Sequence, residues 1–248
     1  MKEIIYGRNA VYETLRARRR QGFKLEVAEG VQPKGRLEDI LSLARQRKIP
    51  IHTVPRQKLE KLNANHQGVA LEASGYPYSA LPDMLDLARQ RGQAPFILLL
   101  DSLNDPQNFG TLIRTAEAVG VHGILIPLAR TVEVTPAVVN ASAGASEHML
   151  IAQVNLHQAI TELKDAGAWI VGLEGGESAQ PVERVRLDGA LGLVVGSEGE
   201  GMRPLTAKSC DVLMRLPMVG QIESLNAAVA GSVVLYLAHL ARGKNKTG

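Results

Sequence analysis

Between residues 95 and 196 the chain carries four apolar runs, FILLLD, GILIP, AWIVGLE and LGLVVG, separated by stretches with helical periodicity. A strand with one wet face alternates polar and apolar side chains. A strand that is apolar throughout is buried on both faces and needs helices above and below it. The runs therefore predict a parallel sheet sandwiched by helices. Ligands of such sheets sit beyond the carboxyl ends of the strands, which directs attention to the loops after Leu100, Ile126, Val195 and Leu216.

Residues 1–76 read differently, as a small α/β unit with a helix near 8–20, a strand around 23–29, a helix near 36–47, and strands at IPIHTV and GVALEAS. YPYSALP, with two prolines and two tyrosines, then suits a linker that leads into a short amphipathic helix at 83–91. The division predicted is 1–76, a linker at 77–92, and 93–248. Charge follows the same division: residues 1–76 hold 15 Lys and Arg against 8 Asp and Glu, whereas the remainder holds 13 against 17. LRARRRQGFK and LARQRKIP concentrate the positive charge, which suits a polyanion and equally suits a solvated helix face. On the first reading Arg18, Arg19 and Arg20 face nucleic acid, and residues 1–76 are separable from a catalytic remainder.

Several classes are set aside. No run approaches the roughly 18 apolar residues of a membrane span, and the N-terminus lacks the apolar stretch of a secretory signal, so a cytoplasmic protein is expected. The single cysteine, Cys210, has no partner for an internal disulfide. The six histidines show no HExxH or Cys/His ligand spacing, so no metal is expected.

Polar residues gather in three loops. In DSLNDPQNFGTLIRTAEAVG a strand runs into a turn and then a helix. There Asn108 can present an amide to a ligand and Arg114 follows near the helix start, although Asp105 and Asn108 can also serve only as caps while Arg114 pairs with Glu117. In LGLVVGSEGEGM, Gly196, Gly199 and Gly201 surround Glu198 and Glu200. The order GxxGxG is not the dinucleotide fingerprint, and acidic residues among the glycines favour a neutral or cationic ligand over a phosphate. In LPMVGQIESLNAAVAGSVVLYLAHL, Ser224 reads as the N-cap of a helix apolar almost all round, hence buried. Asn226, a poor helix former among apolar neighbours, needs a partner of its own.

In this order and spacing, NDPQNFGTLIRTAEA, GSEGEG and PMVGQIESLNAAVA resemble the three signature motifs of the SpoU (TrmH-type) RNA ribose 2'-O-methyltransferases, over about 150 residues. IYGRNAVYETLRA and NHQGVALEA resemble the L30e-like substrate-binding domain of the RlmB branch, which methylates a guanosine of 23S rRNA. The chain departs from the common pattern at Ala227 and Ala228, where Val-Ser usually follows Ser-Leu-Asn, and at Glu223.

The resemblance implies an α/β fold with a C-terminal SPOUT-type parallel sheet tied in a deep trefoil knot, preceded by a small L30e-like α/β domain, and assembly as a homodimer. It implies S-adenosylmethionine as methyl donor, with S-adenosylhomocysteine as product. Gly196, Leu216 and Leu225 would contact the donor. Arg114 would be the central catalytic residue, binding the reacting ribose or its phosphate and relaying its proton. Asn108 and Asn226 would orient loops and hydroxyl, Ser224 would fix the start of the last helix, and Glu198 would hold Arg114 or an asparagine in place. A tRNA ribose or another rRNA nucleotide remains open as target, as does a non-catalytic role in RNA binding or ribosome assembly.

Overall fold

The computed structural model describes residues 2–244 apart from positions 130, 177, 198, 200 and 223. In chain order the elements are β1 (Lys2–Tyr6), α1 (Arg8–Ala17), β2 (Gly22–Ala28), α2 (Arg36–Gln46), β3 (Ile51–Val54), α3 (Arg56–Glu60) and β4 (Val69–Ser74). There follow α4 (Leu81–Gln90), β5 (Phe96–Leu100), α5 (Pro106–Ala118), β6 (Gly123–Pro127), α6 (Pro136–Ala141), β7 (Ile151–Val154), α7 (Leu156–Asp165) and β8 (Trp169–Leu173). The chain closes with β9 (Gln180–Pro181), β10 (Leu191–Val195), α8 (Pro204–Ser209), β11 (Val212–Arg215) and α9 (Ala227–Lys244).

These form two compact units, Met1–Pro77 with Glu133–His148, and Tyr78–Val132 with Met149–Gly248. The first unit is built on a four-stranded sheet in the order β1-β4-β2-β3, antiparallel except for β2 against β3. The strand β1 and the helix α3 were not anticipated. β1 is too short and too polar at Lys2 and Glu3 to show a pattern, and α3 has only five residues. Helix α1 stops at Ala17 because Arg18 takes a left-handed φ of 58°.

Residues 133–148 sit in the first unit although the chain around them belongs to the second. Asn140 Nδ2 of α6 donates to the Tyr6 carbonyl at 3.1 Å, and His148 Nε2 lies 2.7 Å from Glu13 Oε2. A Cβ at Gly144, whose φ is +87°, would stand 2.6 Å from the Glu13 Cβ, so this turn is pressed directly onto α1. A further tie is ionic. Arg20 Nε and Nη2 grip the Glu147 carboxylate at 3.0–3.1 Å, with both side chains fully buried. Burial works to lower the Arg20 pKa, but Glu147 and Glu3 outweigh it and hold the guanidinium charged.

Two expectations are corrected by this packing. Arg20 is not part of an RNA-facing surface, because its charge is spent on Glu147, on Glu3 at 2.6 Å and on the Ser74 carbonyl. Arg19 is also engaged, donating to Tyr76 Oη at 3.2 Å and to the Pro77 carbonyl at 2.9 Å, which leaves Arg18 as the exposed member of the three. Moreover, cutting away residues 1–76 strips residues 133–148 of the surface they pack against.

The second unit holds a seven-stranded sheet in the order β7-β6-β5-β10-β8-β11-β9, parallel at every pairing. All residues of β5, β6 and β10 are buried, as continuous apolar runs require. Strand order reverses between β5, whose chain continues outward to β6, and β10 on its other side. That switch point opens a crevice at the carboxyl ends of the central strands. Among the described residues no helix is long and apolar enough to cross a membrane.

Helix α9 is not buried all round as its composition suggested. Ala228, Val234, Leu235 and Ala238 are buried, but Val229, Val233, Tyr236 and Leu240 are 42–59 % exposed along one stripe. Its inner side lies close to α5: a Cβ at Gly231 would meet Leu112 Cδ2 at 2.7 Å, and Ser232 Oγ lies 2.9 Å from Thr115 Oγ1.

Candidate functional site

The carboxyl end of β5 leads into α5 through a tight turn. Asp105 caps the helix, accepting from the backbone N–H groups of Gln107 at 3.1 Å and Asn108 at 3.3 Å, with Pro106 preset for the first turn. Phe109, Leu112, Ile113 and Ala116 pack inward, which leaves Arg114 on the exposed side. No hydrogen bond or ion pair joins Arg114 to Glu117 or to any other described residue. A guanidinium left in solvent about two turns into α5 is free to meet an incoming anionic substrate.

The second loop folds back on itself after β10. Ser197 and Gly201 form an antiparallel bridge with N–H···O distances of 3.0 and 3.2 Å, and Gly199 and Gly201 take φ values of +81° and +69°. A Cβ at Gly196 would fall 2.3 Å from the Gly201 carbonyl carbon, so the strand end and the returning loop can touch only with glycine here. The loop is moored to β5 by Asp101, fully buried, which accepts from Arg203 N at 2.9 Å and Arg203 Nε at 2.6 Å. Sequence reasoning gave Asp101 no role, though it ends FILLLD, where an aspartate at a buried strand terminus signals a fixed partner. Glu198 and Glu200 lie outside the described residues.

The third loop brings the asparagines together. Asn226 Nδ2 donates to Asn108 Oδ1 at 3.1 Å, while Asn226 Oδ1 accepts from the backbone N–H groups of Ala228 and Val229 at 2.9 and 3.1 Å. Asn226 is therefore the cap of α9, and Ser224, two residues earlier, is not. The carbonyl of an asparagine immediately before the helix reaches the two donors that need satisfying, a geometry unavailable to Ser224 once α9 begins at Ala227. The single Asn226 side chain thus fixes the helix and links the first and third loops.

A cavity of about 620 Å³ opens between these loops, lined by Gly196, Leu216, Ser224, Leu225 and Asn226 together with Glu174 and neighbouring backbone. Asn108 reaches it through Asn226, and Arg114 is not part of its lining. Glu174 follows β8, the third apolar run, whose loop was not among those singled out although the same carboxyl-end rule covers it. Cys210 offers no nucleophile here, since burial pushes its thiol up to about 12. Among the described residues no group of three or more His, Cys, Asp or Glu side chains could hold a metal ion.

Comparison with known proteins decides the family. The profile of the SpoU rRNA Methylase family matches residues 95–236, and that of the RNA 2'-O ribose methyltransferase substrate-binding domain matches residues 4–79. The chain belongs to the SpoU methylase family. Bacillus subtilis YacO, named for the TrmH family of tRNA/rRNA methyltransferases, is 42% identical over 250 residues, covering 99% of this chain and 98% of YacO. A TrmH-family relative from Staphylococcus aureus is 40% identical over 235 residues, 94% of each chain. Among solved structures, the SpoU methyltransferase AviRb from Streptomyces viridochromogenes, in complex with AdoMet, superposes with a TM-score of 0.80 at 21% identity, covering 100% of this chain and 91% of AviRb. An AdoMet-bound rRNA methyltransferase from Sinorhizobium meliloti gives 0.78 at 23% identity, over 96% and 87% of the two chains. For this SpoU methylase the solved structures establish the shared fold, and the profiles and relatives establish an RNA methyltransferase.

Proposed function

We propose that this RNA methyltransferase takes S-adenosylmethionine as its donor and methylates the ribose 2'-hydroxyl of a guanosine in 23S rRNA. The observation that carries the reading is the cavity of about 620 Å³ bounded by the glycine loop and the linked Asn108–Asn226 pair. Its size suits a nucleoside-sized ligand. Its lining suits this donor: glycine backbone, the apolar side chains of Leu216 and Leu225, and, among the described residues, a carboxylate but no cation. When bound, the donor supplies a methyl group on a positively charged sulfur. Gly196, Leu216 and Leu225 hold it, Asn226 and Asn108 fix the cavity mouth, and Arg114 binds the ribose or its neighbouring phosphate and relays the hydroxyl proton to that phosphate or to water, S-adenosylhomocysteine being the leaving group. Ser224 shapes the lining, and Glu198 holds Arg114 or an asparagine in place.

The RNA reading draws on the first unit. Arg18, Lys34, Arg45, Lys48 and Lys61 are exposed with no ion-pair partner among the described residues, in the region that matches the substrate-binding profile. The exposed stripe of α9, with Ile222 73 % and Val219 fully exposed nearby, supports a homodimer packed on this helix. The family fold supports a knotted C-terminal sheet and a cytoplasmic enzyme. Ribose-methylation mapping of 23S rRNA from cells with and without the protein tests the target. Loss of one guanosine 2'-O-methyl mark is expected; an unchanged 23S map with a lost mark on tRNA moves the target, and no lost mark anywhere supports a non-catalytic role. Sedimentation of the protein and of Tyr236→Glu tests the dimer.

A further inference from the structure

Glu174 is the one ionisable side chain in the cavity lining among the described residues, and it has no ion pair or side-chain hydrogen bond with any of them. Its backbone is pinned, its N–H donating to the Met214 carbonyl at 2.9 Å at the carboxyl end of β8. Its carboxylate lies against the glycine loop: a Cβ at Gly201 would stand 3.2 Å from Glu174 Oε1, tighter than an ordinary contact, so glycine at 201 leaves room for this group as well as supplying the turn. A carboxylate held half-buried over bare backbone, facing a cavity, is an acceptor waiting for donors from a ligand.

We infer that Glu174 binds the ribose 2',3'-diol of the methyl donor, fixing the nucleoside end of the ligand. The inference rests on the cavity being the donor site. Sheet order selects the diol over the cationic groups. On the proposed function the segment after β5, with Asn108 and Arg114 on α5, lies beside the methyl to be transferred. Glu174 follows β8, and β10 runs between β5 and β8, which separates the two strand ends by about 10 Å at the usual strand spacing. In the donor the diol lies on the far side of the ribose from the sulfur, so a ligand with its methyl toward β5 presents its hydroxyls toward β8. An ionised carboxylate accepts from both hydroxyls at once, and hydrogen bonds to a charged acceptor are the strong ones.

Calorimetric titration of wild type and Glu174→Gln with S-adenosylmethionine, S-adenosylhomocysteine and 5'-methylthioadenosine tests this. All three carry the diol, only the first carries the sulfonium, and the third lacks the amino-acid part. The substitution is expected to weaken all three by about tenfold or more, to raise KM for the donor with kcat nearly unchanged, and to leave the unliganded unfolding midpoint in place. Affinities within twofold of wild type overturn the inference. Weakening confined to S-adenosylmethionine assigns Glu174 to the sulfonium, and weakening that spares 5'-methylthioadenosine assigns it to the ammonium group; either overturns the diol. Failure of the wild-type protein to bind any of the three overturns instead the placement of the donor in this cavity.

Discussion

Replacing Glu147 by alanine removes one half of an ion pair in which neither side chain is exposed. The remaining guanidinium of Arg20 cannot reach water in the folded protein. Stranding a buried charge in this way typically costs about 3–5 kcal/mol. The lower end applies here, because Glu3 stays 2.6 Å from Arg20 Nη1 and the Ser74 carbonyl accepts at 3.1 Å. For a chain of 248 residues a loss of about 3 kcal/mol lowers the unfolding midpoint by roughly 6–12 °C. Urea unfolding followed by circular dichroism measures the free-energy loss and a thermal scan the midpoint shift, with Arg20→Met/Glu147→Leu as the control. The double variant removes the stranded charge along with its partner, so it is expected to be less destabilised than Glu147→Ala alone. A loss below about 1 kcal/mol for the single variant, or a double variant worse than the single, would refute the argument that this pair is dry and couples residues 133–148 to the N-terminal sheet. The same reasoning predicts that deletion of residues 1–76 yields an unstable remainder, since Glu147, Val138 and Val139 lose the surface that buries them.

Arg114→Ala is expected to lower turnover by at least about 10²-fold while S-adenosylmethionine affinity, read by calorimetry, stays within twofold; near-normal turnover removes Arg114 from the chemistry. Asn226→Ala is expected to lose about 1 kcal/mol of stability with the α9 cap, together with most activity, whereas Asn226→Asp keeps the cap oxygen and loses the N–H donated to Asn108. If Asn226→Asp keeps full kcat, the link between the loops is purely structural. Burial, reinforced by Arg91 and Arg242, pushes the His122 imidazole down to about 4, so the unfolded chain takes up the proton first. Stability present above the unfolded value of about 6.5 is therefore lost as pH falls from there toward 4, and His122→Gln should flatten urea midpoints across that window. Arg18, Arg45 and Lys48 lie at the adjoining carboxyl ends of α1 and α2, where Arg47 of the same turn donates to the Leu15 and Arg20 carbonyls. Their triple alanine variant should reduce the slope of log affinity against log salt for an rRNA fragment by about 2–3, and an unchanged slope places the RNA elsewhere.

The sequence by itself determined the class of each part. Unbroken apolar runs can be stable only between two layers of helix, so the parallel sheet followed from β5, β6, β8 and β10 without further information. The three loops were legible for a related reason: Asn108, Gly196 and Asn226 are residue types that cost stability unless a turn, a close approach or a ligand needs them. What the sequence could not decide were pairings across long separations. That Asn226 rather than Ser224 caps α9 depends on where the helix starts, and its link to Asn108 spans 118 residues. That Arg20 is an interior ion pair rather than a nucleic-acid contact depends on Glu147, 127 residues away, and a basic run reads the same in either case. That one side of α9 is bare, and that Glu174 shares a cavity with Asn226, depends on which strands become neighbours in the sheet. Local preference fixes what each segment wants to be; which side chains then meet is set by topology, because burial energy depends on area and not on the identity of the partner that supplies it.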